Sequence, residues 1–156
     1  ANRIYITGHG MGGFGTLNAL KSDPNMWAAA VVVSGGGDPN AARSFAHVPL
    51  WMYAGEKSPI LHYSQEMFFA LKAAGGHPKL TVFDKSPTAC WAQVYDSQAV
   101  WDWLFSQRRQ PPLPPPAATQ PATEPATGPA TAPASPKEKP KIIYRINGEE
   151  KEYVPE

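Results

Sequence analysis

The stretch Arg3-Ile4-Tyr5-Ile6-Thr7-Gly8-His9-Gly10-Met11-Gly12-Gly13-Phe14-Gly15 constrains this chain more than any other. Arg3 to Thr7 is rich in β-branched and aromatic residues, the composition of a buried parallel strand. A glycine-rich corner follows. Phe14, Leu17 and Leu20 then recur at near-helical spacing until Pro24 ends the run. Two chemistries use a strand, corner and helix of this kind. One is the G-x-S-x-G turn that lifts a serine nucleophile clear of a sheet. Here the frame is Gly8-His9-Gly10-Met11-Gly12, with Gly10 where the nucleophile would stand. The other is the G-x-G-x-x-G dinucleotide fingerprint, matched literally by Gly8, Gly10 and Gly13. A third role is structural, since a tight strand-to-helix turn needs glycine for its backbone alone. The motif by itself does not choose among them.

The chain's 156 residues give room for one ordinary domain, and globular composition ends near Arg109. A net charge of +1 without a basic stripe points to no nucleic-acid partner. Cys90 is the sole cysteine, which excludes an internal disulfide and any cysteine-based zinc site. No cofactor or metal is implied. No apolar run approaches the roughly 20 residues needed to span a bilayer, so no membrane span is expected. The chain opens at Ala1, directly on a strand and without a secretory signal, from which we expect a longer protein whose beginning is missing.

Strands and helices alternate along the first 109 residues. Ala28 to Val33 is a continuous apolar run leading to a flexible exit at Ser34-Gly35-Gly36-Gly37. Asp38-Pro39-Asn40 opens a turn or short helix, with Ala41, Ala42 and Phe45 as packing residues. Pro49 to Ala54 is a third strand, followed by the loop Gly55-Glu56-Lys57-Ser58-Pro59. Tyr63, Met67, Ala70, Leu71 and Ala74 share a helical face, capped at Gly75-Gly76. Leu80 to Phe83 is a fourth strand and Asp84 to Tyr95 a loop. A last helix, opening near Asp96 or Ser97, turns Val100, Trp101, Leu104 and Phe105 inward. The fold class is therefore α/β, a parallel sheet of about four strands with helices on both faces, followed by a disordered Pro-rich tail. In such sheets chemistry sits at the carboxyl ends of the strands.

The order and spacing of these pieces resemble the second half of an α/β-hydrolase domain. The chain is most similar to the branch of secreted esterases, dienelactone-hydrolase-like enzymes and prolyl-oligopeptidase-like peptidases. The resemblance rests on Arg3 to Gly8 before the corner, Met11 to Thr16 after it, and Trp27 to Val31 leading to Ser34-Gly35-Gly36. Val48-Pro49-Leu50-Trp51, Leu71 to Gly76, and Trp101 to Phe105 complete it. It implies a serine at Gly10, an aspartate just before a proline where this chain has Ser58, and a histidine a few residues before a tryptophan. Counted back from Trp91, that last position is Thr88. None of these three supplies the nucleophile, base or orienting carboxylate that acyl transfer requires. One oxyanion donor would be the Met11 N–H, and its partner donor belongs to an earlier loop.

His9, beside the corner, and Cys90, beside the histidine position, are the remaining substitutes; a packing or surface role is favoured for His9 and buried apolar packing for Cys90. His47, His62 and His77 have no acidic partner implied by spacing, and Glu56 and Asp84 read as solvated loop charges. The dinucleotide reading wants an acid at the end of the next strand, whereas Asp38 lies beyond two further glycines. Gln110 to Pro140 repeats Pro-Ala-Thr and reads as an extended linker. Within 141–156, Asn147-Gly148 separates two extended segments, a hairpin signal, and such a hairpin is expected to stay mobile or pair with a partner's sheet edge.

Two functions are expected from this reading. The first is a degenerate hydrolase domain, inactive itself, serving as a binding or scaffold module. It would hold a small ester- or peptide-like ligand in a vestigial pocket and a missing portion or protein partner at the edge of strand 3–7. The alternative is an active serine-hydrolase-type esterase or peptidase completed by missing sequence or an unrecognised nucleophile. Nucleotide binding at the corner is a minor third. The proline-rich composition fits an extracytoplasmic bacterial location; nothing else speaks to localisation.

Overall fold

Each apolar run becomes a strand, and the order of strands in space repeats their order in sequence. The structure is a computed structural model and describes residues 1–84 and 90–115, together with the backbone of strands 142–146 and 149–153. The elements are β1 (Tyr5–His9), α1 (Met11–Ser22), β2 (Ala29–Val33), α2 (Ala42–Phe45), β3 (Leu50–Gly55), α3 (Leu61–Ala73) and β4 (Lys79–Phe83). Helices α4 (Trp91–Tyr95) and α5 (Gln98–Ser106) follow. The sheet runs β1-β2-β3-β4, all parallel, with Gly8 opposite Val32, Val32 opposite Met52 and Met52 opposite Leu80.

Strands added successively in one direction carry their same-handed crossovers to one face of the sheet. On that face Ala30, Val32, Leu50 and Met52 pack against Leu17 and Leu20 of α1, Phe45 of α2, and Met67 and Leu71 of α3. The other face needs a separate cover, and the chain supplies it after β4. Ala29, Val31, Val33 and Tyr53 lie against Val94 of α4 and Val100 and Leu104 of α5. All five residues of β2 are buried, which is why that run is unbroken apolar sequence rather than alternating.

The structure differs from the sequence reading at several points. β1 begins two residues later than expected and runs through His9, because the ladder to β2 extends to the pair His9–Val33. The stretch expected as a loop to Tyr95 contains α4, packed through Val94. The glycines after β2 are no flexible exit. Gly35 and Gly36 are buried, and a Cβ on Gly35 would stand 2.7 Å from the backbone of Gly13. Tyr63 is 42% exposed and Phe105 48% exposed, so neither faces inward. Each rests edge-on against another ring, Phe14 and Tyr5 respectively. Gly75 does follow the α3 cap, with φ +88.

Beyond α5 the chain stays on the domain through Pro114. The Arg109 N–H donates to Asn2 O at 3.0 Å, Leu113 packs on the first core cluster, and Arg43 Nη2 donates to Pro114 O at 3.1 Å. The linker expected at 110–140 lies outside the described residues from 116 onward. β5 (Ile142–Ile146) and β6 (Glu149–Tyr153) pair antiparallel, with Ile146 opposite Glu149, and β5 lies beside β4. The Asn147-Gly148 turn itself is outside the described residues.

Two glycine substitutions check this packing. Gly15 lies within α1, where a Cβ would meet nothing within 4 Å, so Gly15→Ala is expected to stabilise by about 0.5–1 kcal/mol. Gly35→Ala would press on Gly13 and is expected to cost about 1–3 kcal/mol. Urea denaturation reads both, and equal effects at the two positions would contradict the packing described.

Candidate functional site at the glycine corner

The corner is built almost wholly from backbone. Gly10 has φ +56 and ψ −122, a conformation that disfavours any side chain. Its N–H donates to Val33 O at 2.9 Å, and its carbonyl accepts from Gly13 N at 2.8 Å and Phe14 N at 3.1 Å. The turn is thus tied to β2 on one side and to α1 on the other. Gly8 must be glycine because a Cβ there would enter the Gly12 carbonyl, which also accepts from Thr16 Oγ1 at 2.9 Å. A Cβ on Gly13 would stand 3.0 Å from Gly35 Cα. At Gly10 the opposite holds: a Cβ would meet nothing within 4 Å. The turn therefore presents its crest to open space, as a nucleophile-bearing turn must.

Around this crest the other expected positions fall as follows. Met11 opens α1 with its side chain 86% exposed, and its N–H belongs to the first helical turn, whose donors lack intrahelical acceptors. Ser58 is buried and serves the turn before α3. Its N–H donates to Gly55 O at 3.0 Å, its carbonyl accepts from Leu61 N at 3.1 Å, and its Oγ accepts from Ile60 N at 3.4 Å. Thr88 lies outside the described residues. His9 ends β1 on the exposed side, its ring 6.3 Å from that of half-exposed Trp91, and no carboxylate orients it among the described residues.

Cys90 is fully buried within the second core cluster, its Sγ 3.5 Å from Ser34 Oγ. Ser34 is placed by the sequence only in the loop after β2 and is given no role at the corner. It holds φ +49, an unusual conformation for a residue with a side chain, with its N–H donating to Tyr53 O at 2.7 Å. Burial pushes the Tyr53 phenol well above its ordinary pKa, so it stays neutral and offers no base. Nothing in the sequence marks Ser34 as strained; only its place where β2 meets the corner does.

The remaining candidates are occupied or outward-facing. Asp38 accepts from Lys21 Nζ at 3.0 Å and caps a short 3₁₀ turn through Asn40 N, and the Lys21 hydrogen bond leads in lowering its pKa. His47 is buried with Nε2 3.1 Å from Pro24 O, while His62, His77 and Asp84 are exposed. Among the described residues no three metal-ligating side chains converge, and no helix is long and apolar enough to cross a membrane.

Burial gives Cys90 a direct check. Thiol titration with an aromatic disulfide reagent is expected to be slow on the native chain and stoichiometric after unfolding. Rapid reaction of the folded protein would place the thiol at the surface.

No family model matches the chain, and no curated protein matches it. Among solved structures it is similar to a thermostable esterase, with 34% identity and a TM-score of 0.67 over 69% of this chain and 32% of that one. It is also similar to dipeptidyl peptidase 4 of Porphyromonas gingivalis (16% identity, TM-score 0.60, 67% of this chain and 20% of that one). A third is the acylaminoacyl peptidase of Pyrococcus horikoshii (19% identity, TM-score 0.53, 59% and 21%). The two peptidases speak for the fold alone. The chain spans about a third of the esterase's length. The parallel sheet, the strand-corner-helix at Gly10 and the 34% identity to the esterase agree: the chain belongs to the α/β-hydrolase superfamily.

Proposed function

We propose that this is a degenerate α/β-hydrolase domain that binds a small ester- or peptide-like ligand, or a protein partner, without hydrolysing it. One observation carries the reading. The corner keeps the backbone of a nucleophile-bearing turn, yet the residue at its crest is Gly10, at φ +56 with open space beyond it. Acyl transfer needs a nucleophile, a base and an orienting carboxylate, and a turn of this shape without a serine supplies none of them. Ser58 at the carboxylate position is uncharged and committed to its own turn. Thr88 at the histidine position has no basic group near neutral pH. The substitutes fare no better: Cys90 is buried and His9 lacks a carboxylate partner among the described residues.

The glycine has a physical advantage where catalysis is no longer selected. A side chain held in this conformation costs on the order of 1–3 kcal/mol, and glycine removes that strain. A partner along the outer edge of β1 belongs to the same proposal. β1 ends the sheet among the described residues, and Ile4 and Met26 are exposed nearby. An exposed strand edge is a template for pairing.

The opposing reading is an active esterase or peptidase, and the 34% identity to a thermostable esterase favours it. Nucleotide binding finds less support, because Gly8, Gly10 and Gly13 each have a structural task and Asp38 is paired with Lys21.

Hydrolysis of p-nitrophenyl acetate by the purified chain separates the first two readings. The expected rate equals that of buffer. Gly10→Ser is expected to remain inactive, because a lone hydroxyl lacks its base, and to lose about 1–3 kcal/mol of stability. Turnover by the unaltered chain that exceeds buffer and saturates with substrate would overturn the proposal.

A further inference from the structure

The opposite end of the sheet holds a second candidate site, independent of the corner. Where the strands begin, a crevice of about 490 Å³ opens between the segments leading into β3 and β4, the end of α5, and the chain from Gln110 to Pro114. That volume is within the usual range for small-molecule sites, and the walls are mainly apolar, as such sites are. Val48, Trp103 and Leu113 supply hydrophobic surface, and two prolines at 111 and 112 form part of the outer wall.

This wall is fixed at both ends. Arg109 N–H is bonded to Asn2 O, Arg43 holds the Pro114 carbonyl, and Leu113, partly buried, packs against the core between these ties. Prolines restrict the backbone of such a segment further. On the inner side His47, 8% exposed, is held with Nε2 3.1 Å from Pro24 O. The crevice is therefore formed before any ligand arrives, which lowers the entropic cost of binding.

Its charge is one-sided. Among the described residues no acidic one lines it, whereas Lys79 does, with the imidazoles of His77 and His47 as further polar groups. The Lys79 ammonium stands 4.6 Å from the Trp51 ring centre and 5.4 Å from that of Trp103. Among the described residues it has no carboxylate within ion-pair distance. A cation over aromatic rings, beside an apolar crevice, is complementary to a ligand with one negative end and a flat hydrophobic body.

We propose that this crevice binds a small organic carboxylate, its charged end at Lys79 and its apolar body between Trp103 and the Pro111–Leu113 wall. The test uses the full chain, labelled with nitrogen-15, titrated with hydrocinnamate, octanoate and the neutral hydrocinnamamide. The carboxylates are expected to shift the Lys79 and Gly75 amides and the Trp103 indole at millimolar concentration or below, leaving Gly10 and Met11 unmoved. Lys79→Met is expected to weaken hydrocinnamate about tenfold, as loss of a charge-assisted contact does, with little effect on the amide. Lys79→Gln gives the same comparison if the methionine variant folds poorly. Absence of these shifts with both carboxylates, or equal binding by the uncharged variants, would overturn the proposal. Shifts centred on Gly10 would also overturn it, moving the ligand to the corner.

Discussion

The structure depends on how closely α1 can approach the carboxyl ends of β1 and β2. Helix and sheet meet there through main chain, with Gly8 under the Gly12 carbonyl and Gly13 against Gly35. Only glycine permits such contacts, and each replaces a side-chain layer that would hold the helix farther away. From this approach follow the tie from Gly10 N–H to Val33 O, the direction of α1, and the burial of Leu17 and Leu20 over β2 and β3. The corner is thus first a packing device. Its potential for chemistry comes from one consequence of that packing: residue 10 is lifted to a crest that faces open space.

A crest without a reactive side chain separates architecture from activity. The fold is retained by apolar burial on both faces of the sheet, to which Gly10 adds nothing beyond its backbone conformation. A glycine at the crest therefore leaves the core intact, and on our proposal the binding surfaces of the domain outlast its chemistry. On our proposal the carboxyl-end rim is a remnant of this kind. The crevice at the amino ends, with Lys79 over Trp51 and Trp103, is a separate feature at the other end of the sheet.

Much of this was legible in the sequence because burial leaves a periodic trace. β2 is buried on both faces and reads as Ala28 to Val33 without interruption; β3 carries Leu50 and Met52 to one face and Trp51 and Tyr53 to the other. The corner was legible as a motif, though not the reason for each glycine. Gly8 and Gly13 answer to contacts from residues four and twenty-two positions away, Gly12 and Gly35, which spacing alone does not reveal. The short helix α4 was hidden because five residues give barely one turn of periodicity. The wall formed by Gln110 to Pro114 was hidden because a proline-rich segment has the composition of a spacer, and its attachment depends on Leu113, Arg43 and Asn2 together. The crevice was invisible for the same reason, since its walls come from four separate stretches of chain.

The central claim is that the turn at Gly10 is shaped for a nucleophile it no longer carries. Incubation of the folded chain with an alkyl fluorophosphonate, followed by intact-mass measurement, tests it most directly. Such reagents form a stoichiometric adduct with an activated serine hydrolase nucleophile. An unmodified mass is expected. A single stoichiometric adduct that disappears on prior unfolding would contradict it, and the modified residue would then identify the nucleophile.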